Sequence, residues 1–470
     1  WQGSKHLLSE QSAPGTEWNS KEPLQFSIIQ ALQVAAANSR EFQAQKDRLF
    51  SAALTLDLEA DDFRNTFSGM LQESMGTSGN GDSRLTGSNS SGVAGITRKF
   101  KNGLEFSSAI SVNLVKMLTG DHASFWGVLG DASISVPLLR GAGEFIVQEP
   151  LRQAERNLLY AVREFEQYKK DFAYNIVQSY LNTLQAAQKV RNQAENYKRV
   201  VASTRRSRRM ANAGRLPEYQ FDQAVQDELR ARDSWIAACQ SNANSLDSFK
   251  ILVGLPTDAQ IVLQEQELAN LAQDLQGLTT GKPPVDYSGE IPPADAEVIL
   301  PEPDDSNAGK YEIQEAKAIA IAFRERLDLQ TLSDRVEDAQ RKVLIAEDAL
   351  RAELTLGGSA AVGQRRSYSN TSQNNAEFNP RAGAYSGLLT LDLPWERTRE
   401  RNAYRESLLN LEAAVRALQS KEDNIKLDIR RNLRMLRQYR ETLIIQSQAV
   451  TLAERRVKST DTLLQAGRAE

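Results

Sequence analysis

Two stretches between residues 104 and 138 alternate between apolar and polar positions. Leu104, Phe106, Ile110, Val112 and Leu114 share one face, with Glu105, Ser107, Ser111 and Asn113 on the other. After a loop containing Gly120, Asp121 and Gly127, residues Ala132, Ile134, Val136 and Leu138 alternate with Asp131, Ser133 and Ser135. A period of two is that of a strand with one apolar face, so a strand pair is expected at about 104–139. Each stretch approaches the ~9–11 residues that a tilted strand needs to cross a bilayer. Upstream, residues 1–22 read as a disordered lead-in. Pro23 opens one helix that runs to about Glu59. Between Ser68 and Gly95 half of the 28 residues are Gly or Ser. That excludes a helix and predicts a loop, broken at most by short strand pieces.

From Pro150 the period lengthens. Leu151, Ala154, Leu158, Ala161, Phe165, Tyr168 and Phe172 are spaced in steps of three and four, and Ala187, Val190, Ala194, Tyr197 and Val201 resume the seam. A 3.5-residue repeat sustained to about Asn212 predicts a supercoiled helix some ~95 Å long. It stops at Ala213–Pro217, where Gly214 suits a left-handed helix end and Pro217 can start the next helix. The return helix ends near Gly254-Leu255-Pro256, completing a hairpin over 150–256. Residues 264–309 are acidic and Pro-rich, a linker or irregular collar.

The same plan then recurs. A helix from Tyr311 to about Ala352 precedes a strand pair at about 352–394. Leu354, Leu356, Ala360 and Val362 share one face there, as do Leu389, Leu391 and Leu393. A long helix over 396–466 carries the seam Tyr404, Leu408, Leu411, Val415, Leu418, Ile425 and Ile429. The motif SISVPL (133–138) matches TLDLPW (390–395), and Ala213-Gly214-Arg215 matches Ala466-Gly467-Arg468. Residues 23–263 and 310–470 thus read as two repeats, the second without its return helix.

Composition changes the picture by subtraction. The chain has 470 residues, 57 basic and 61 acidic side chains and a formal charge of −4. Interspersed charges with a net acidic sign argue against a dedicated nucleic-acid binder. Two histidines, His6 and His122, and one cysteine, Cys239, exclude zinc fingers, disulfide scaffolds and Cys–His dyads. No apolar run reaches the ~18–20 residues of a spanning helix, whereas strands of a barrel carry a much weaker hydropathy signal. Mean hydropathy is −0.48, as expected of supercoiled helices that face water. The chain starts at Trp1 with no signal-peptide pattern and reads as processed or trimmed.

In this order of elements the chain resembles the TolC family of outer-membrane efflux and secretion ducts. The resemblance rests on VPLLRGAG (136–143) as a strand-to-helix junction with Pro137 and Gly141, and Pro394 as its counterpart in the second repeat. It rests also on AGRLP with FDQA (221–224) as a helix-hairpin tip, and on FKILVGLP (249–256) as a return-helix end. It implies a mainly α fold with a small β part: a trimeric α-helical barrel of long coiled-coil hairpins, joined to a shared transmembrane β-barrel with four strands per chain. It implies a homotrimer in the outer membrane of a Gram-negative-type bacterium, its tip docking on a periplasmic adaptor and an inner-membrane transporter. The family's Asp six residues past the tip glycine is Gln220 here, which removes any ionic latch at that position.

The candidate tip residues are Gly214, Arg215, Leu216, Pro217, Gly467 and Arg468. The candidate lipid face comprises Leu104, Phe106, Ile110, Val112, Leu114, Ile134, Val136, Leu389 and Leu391, opposite a polar lumen. Four strands cannot close a barrel, so oligomerisation is required. The run Arg205–Arg209 has two readings, an adaptor-docking or tunnel-bracing patch and simple charge at a helix end. Arg430, Arg434 and Arg437 read as a lumen lining or as a solvated face. Cys239 is expected as a buried small residue, His122 as a solvated loop residue, and Phe125 with Trp126 as part of an aromatic girdle. The expected function is a passive exit duct, of an efflux pump or of type I secretion, without enzyme activity, cofactor or metal. A periplasmic coiled-coil adaptor or scaffold is the alternative. It is disfavoured because an adaptor would carry one hairpin and a lipoyl-like domain.

Overall fold

The computed structural model describes residues 24–80, 83–119, 123–274, 312–366, 375, 377–393 and 395–465. The chain divides into two compact units. One holds residues up to Asp47, Phe165–Glu325 and those from Asn424 onward; the other holds Arg48–Glu164 and Arg326–Asp423.

The first unit begins with a three-residue strand, β1 (Leu24–Phe26), and α1 (Ile28–Asn38). Ser27 caps α1 reciprocally: its hydroxyl accepts from the Gln30 N–H at 3.2 Å, and the Gln30 side chain accepts from the Ser27 N–H at 3.0 Å. The single helix expected over 23–59 is therefore three elements. Pro23 leads into a strand, and Ser39, in extended conformation, separates α1 from α2 (Arg40–Asp61). The unit also contains β6 (Ile261–Leu263), α6 (Gln266–Asp274), α7 (Glu315–Glu325) and α5 (Glu218–Val253). β1 pairs in parallel with β6, Leu24 opposite Ile261. α6 places an ordered helix inside the stretch that begins the expected linker, whose remainder lies outside the described residues.

The core of this unit gathers Phe26, Ala31, Ala35, Phe42, Phe172, Ile176, Tyr180, Leu184, Phe249 and Val253. Tyr180 donates its hydroxyl to the Phe26 carbonyl at 2.8 Å and accepts from the Gln264 N–H at 3.1 Å, bridging the two short strands. Its helix, α4 (Glu149–Asn212), spans both units. The heptad seam expected along α4 holds at Ala154 and Phe172 and then changes to steps of four, through Ile176, Tyr180 and Leu184. Steps of four turn the buried stripe by roughly 40° each on a 3.6-residue helix. The stripe thereby follows α1, α5 and the small sheet in place of a straight partner seam.

The second unit is built on a six-stranded antiparallel sheet: β2 (Thr66–Asn80), β3 (Ser83–Lys99), β4 (Glu105–Met117), β5 (Ser124–Pro137), β7 (Glu353–Gln364) and β8 (Ala384–Asp392), neighbours in that order. The expectation of four strands per chain in the barrel sheet is corrected: among the described residues this sheet holds six. The segment read as a loop, 68–95, is the β2–β3 hairpin, paired from Thr66↔Thr97 to Asn80↔Ser83. Its alternation was diluted by Gly69 and Glu73 between Phe67, Leu71 and Met75. Glycine and serine are poor strand formers in isolation, but here pairing across the sheet supplies the backbone hydrogen bonds. The unit's helices are α2, α3 (Glu144–Val147), the first part of α4, α8 (Leu327–Asp348) and the first part of α9 (Thr398–Gln465). The helix expected from 311 to 352 is likewise interrupted, at extended Arg326 between α7 and α8. Two helices separated by a break precede strands and a long helix in both halves, but the first half has four strands there and the second two.

Candidate channel wall and helical junction

Because directly opposed residues in an antiparallel ladder share a face, the registers assign every side of the sheet. Phe106 faces Ile134, Ile110 faces Gly130, Val112 faces Val128, and Leu114 faces Trp126. Ile134 continues to Gly358, Val136 to Leu356, and Leu356 to Leu389, beside Leu354↔Leu391. In the other direction Ile110 meets Ala94 and Val112 meets Gly92, which lead to Gly69 and Leu71. One face therefore carries Phe67, Leu71, Met75, Phe106, Ile110, Val112, Leu114, Trp126, Ile134, Val136, Leu356, Tyr385, Leu389 and Leu391. Most of these are exposed, Leu71 by 91% and Leu389 by 63%. Leu104 falls outside: it precedes β4 in a tight turn, where its carbonyl accepts from the Phe100 N–H at 2.8 Å.

The opposite face is rich in serine, with Met70, Val115, Phe125, Leu129 and Leu388 as its larger apolar members. Ser107 and Ser133 share a hydroxyl hydrogen bond at 2.8 Å, and Ser359 and Ser386 one at 2.7 Å. Nearer the β4 end, Asn113 donates to Asn89 Oδ1 at 3.1 Å and to the Arg366 carbonyl at 2.7 Å. Arg365 Nε reaches the Ser111 hydroxyl at 3.2 Å. The segment after β7 therefore lies over this face and buries Ser111 and Asn113. Phe125 and Trp126, expected together in a girdle, sit on opposite faces of β5 by simple alternation; Trp126 belongs to the apolar one.

The strand-to-helix junction is held by backbone pairing and one carboxylate. Pro137 closes β5, and the N–H groups of Leu138 and Arg140 continue to the carbonyls of Leu354 and Ala352, at 2.7 and 3.2 Å. Gly141, at φ 73°, turns its N–H to Asp348 Oδ2 at 2.8 Å. Pro394 lies outside the described residues.

At the hairpin tip, Gly214 has φ 69°; its N–H donates to the Ala211 carbonyl, and the Arg215 N–H returns to Met210, both at 2.9 Å. Pro217, in extended conformation, stands one residue before α5, a helix-capping position just outside the first turn. Leu216 is half-buried. Within the Arg205–Arg209 run, Arg208 pairs with Glu218 at 2.8 Å and stacks over the Phe221 ring at 4.7 Å, bracing the two arms. Gly467 and Arg468 lie outside the described residues, as do His6 and His122. Arg430 pairs with Glu315 at 2.7 Å and lines a shallow groove with Arg434 and Arg437. Cys239 is half-buried; full burial on this face of α5 falls to its neighbour Ala238.

Sequence reading missed a charged network in the second unit. Arg156, Tyr160 and Arg163 on α4 face Asp334, Asp338 and Arg341 on α8, both sets spaced i, i+4, i+7. Asp338, buried to 5% exposure, accepts from Tyr160 at 2.7 Å, Arg341 at 2.8 Å and Gln153 at 3.3 Å, and pairs with Arg156 Nε at 2.5 Å. Arg163 pairs with Asp334 at 2.6 Å, and Arg341 reaches Glu149 at 3.0 Å. Burial pushes the Asp338 carboxyl up, but its donors outweigh burial and hold it below the usual carboxylate range. Burial, then the hydrogen bond to Asp338, pushes the Tyr160 phenol up to about 12. The sequence offered only the helical spacing of Arg156 with Arg163 and of Asp334 with Asp338, each on its own helix.

Among the described residues no group of three or more His, Cys, Asp or Glu side chains could hold a metal ion, and no helix is long and apolar enough to cross a membrane. No family model matches the chain, and no curated protein does either. Solved structures do. The outer membrane protein VceC of Vibrio cholerae is 12% identical at a TM-score of 0.60, over 94% of this chain and 87% of its own. The CmeC outer membrane channel of Campylobacter jejuni is 14% identical at 0.57, over 94% and 77%. The MtrE outer membrane channel of Neisseria gonorrhoeae, in its open state, is 12% identical at 0.54, over 93% and 78%. The chain therefore has a mostly helical, TolC-like fold with a smaller antiparallel sheet, the fold of these outer-membrane proteins.

Proposed function

We propose that this protein is a passive outer-membrane exit duct, a homotrimer whose sheets form a transmembrane barrel and whose helices form a periplasmic tunnel. The observation that carries this reading is the face of the sheet on which Phe67, Leu71, Phe106, Ile110, Val112, Ile134, Val136, Leu356, Leu389 and Leu391 gather, opposite a face rich in serine that also holds Asn113. Exposed to water, such a face would be an aggregation hazard; exposed to lipid tails, it is the ordinary outside of a barrel. Phe106, Ile110, Val112, Leu114, Ile134, Val136, Leu389 and Leu391 face lipid in this reading, and Ser107, Ser133, Ser359 and Ser386 face the lumen.

Gly214, Arg215, Leu216 and Pro217 form the tip that meets a periplasmic adaptor of an efflux or type I secretion system, an inner-membrane transporter supplying the driving force. Gly467 and Arg468 begin the equivalent tip of the second repeat. No enzyme chemistry, cofactor or metal takes part. Pro137 and Gly141 turn the chain from wall to tunnel, and Pro394 is assigned the same role by its place in the repeat. Detergent-extracted full-length protein should run as a trimer and give stable conductance in planar bilayers. A monomer without conductance would overturn the reading.

A further inference from the structure

The sheet ends in two bare edges, and their geometry makes them complementary. Among the described residues β2 pairs only with β3, and β8 only with β7. Every step from β2 to β8 is antiparallel, so the two edge strands run in opposite directions. The apolar face is in phase at both edges: odd-numbered Phe67, Leu71 and Met75 on β2 and odd-numbered Tyr385, Leu389 and Leu391 on β8 lie on it. Both strands meet their helices at the same end of the sheet, Thr66 just after α2 and Asp392 just before α9. All nine residues of β8 are exposed, and Phe67, Leu71 and Met75 are exposed by 75% or more. Unpaired edges cannot face lipid. Six strands also fall short of the eight that make the smallest filled barrel.

We propose that β8 of one copy pairs with β2 of the next, which makes the Gly/Ser-rich β2–β3 hairpin a part of the barrel wall. The occupant of each edge is a second copy of this chain. The edge of β4 that would otherwise meet a neighbour is already taken by β3, from Gly87↔Met117 to Lys99↔Glu105. Taken with the trimer of the reading above, on which this inference rests, three chains of six strands close eighteen. Barrel diameter grows roughly linearly with strand number, so the wall is about 1.5 times as wide as a twelve-stranded closure. At that size the barrel leaves an open aqueous lumen. Selection of cargo then falls to the helical part and to Arg365 and Arg366, which the polar face holds through Ser111 and Asn113.

The test is disulfide trapping in full-length protein in membranes, with Cys239→Ala as background. Thr390→Cys on β8 is combined in turn with Ser68→Cys, Met70→Cys and Gln72→Cys on β2, all on the same face, so the scan does not presuppose a register. A parallel set combines Thr390→Cys with Ser107→Cys or Ala109→Cys on β4. Oxidation of at least one β2 combination should convert the monomer band on denaturing gels to covalent dimer and trimer, with none from the β4 set. End-on electron micrographs should show a barrel that narrows by about one third when residues 66–99 are deleted. Cross-links from β4 alone, or none from β2 in a protein that still conducts and runs as a trimer, would overturn the joint and leave the duct standing. A non-conducting monomer would overturn both. If the deletion variant does not fold, the cross-links decide alone.

Discussion

Asn113, on β4, and Arg366, just past β7, hold each other by two hydrogen bonds although 253 residues separate them. The Asn113 amide donates to the Arg366 carbonyl at 2.7 Å, and its oxygen accepts from the Arg366 N–H at 3.2 Å. The fit is close because Gly127 lies opposite Asn113: a Cβ there would stand 2.4 Å from Asn113 Oδ1. An asparagine serves where an aspartate would not, since the site presents one donor and two acceptors. Asn113→Asp points a second acceptor at the Arg366 carbonyl and at Asn89. The expected loss is about 1–3 kcal/mol, read as a lower thermal midpoint in detergent, and Asn113→Gln should not restore it. An unchanged midpoint for Asn113→Asp would contradict this account.

Acid should weaken the second unit through Asp338. Its folded-state carboxyl titrates below the usual carboxylate range, so the stability it contributes is fully present above about pH 4 and is lost as pH falls through the folded value. Tyr160→Phe removes one of its donors. The variant should be less stable than the parent by ~1 kcal/mol at neutral pH. The gap should shrink as pH falls through the folded-state value of Asp338, below the usual carboxylate range, because the protonated carboxyl no longer needs the missing donor. Denaturant midpoints measured from pH 3 to 7 check this, and a gap constant across the range would count against it.

Two glycines with the same backbone conformation should respond differently to alanine. Gly254, at φ 83°, ends α5 against α1, where a Cβ would stand 2.4 Å from the Asn38 carbonyl oxygen. Gly214, at φ 69°, has open space around it. Each substitution costs about 1–2 kcal/mol for the left-handed conformation. Gly254→Ala adds a backbone clash that only movement of α1 relieves. Its thermal midpoint should fall several degrees below that of Gly214→Ala; equal midpoints would show that α1 yields freely.

A charge on either face of β4 separates the two sides of the sheet. Val112→Lys places an ammonium on the apolar face, at a cost of about 2–4 kcal/mol if that face meets the bilayer midplane. Ser107→Lys places it on the polar face. The first should reduce the fraction of protein recovered in the outer membrane and the second should not, measured by membrane fractionation and immunoblot. Equal recovery would argue that Val112 does not face lipid.

Much of the apolar sheet face was legible because alternation is a local signal. Phe106, Ile110, Val112, Leu114, Ile134 and Val136 share a face in the structure as the pattern required, since a strand sends successive side chains to opposite sides whatever it pairs with. Leu389 and Leu391 followed the same rule. The helix hairpin 149–253 and its Gly214 turn were equally local, a long apolar repeat ended by a residue able to adopt positive φ. The second tip, at Gly467 and Arg468, and Pro394 lie outside the described residues.

The β2–β3 hairpin was not legible, and the reason is physical. Helix and strand propensities describe a residue's own preferences, whereas Ser88, Ser90 and Gly92 sit in a strand because β2 and β4 satisfy their backbone groups on both sides. The charged network between α4 and α8 was visible only as scattered acids and bases, since its meaning lies in which helix each one meets. What the sequence by itself determined is therefore one-dimensional: the faces of β4, β5, β7 and β8, the course of the long helices and the turn at Gly214. The tertiary structure alone decided the number of strands in the sheet, its open edges at β2 and β8, and the joining of Asn113 to Arg366. Those depend on hydrogen bonds between segments far apart in the chain, which no local pattern encodes.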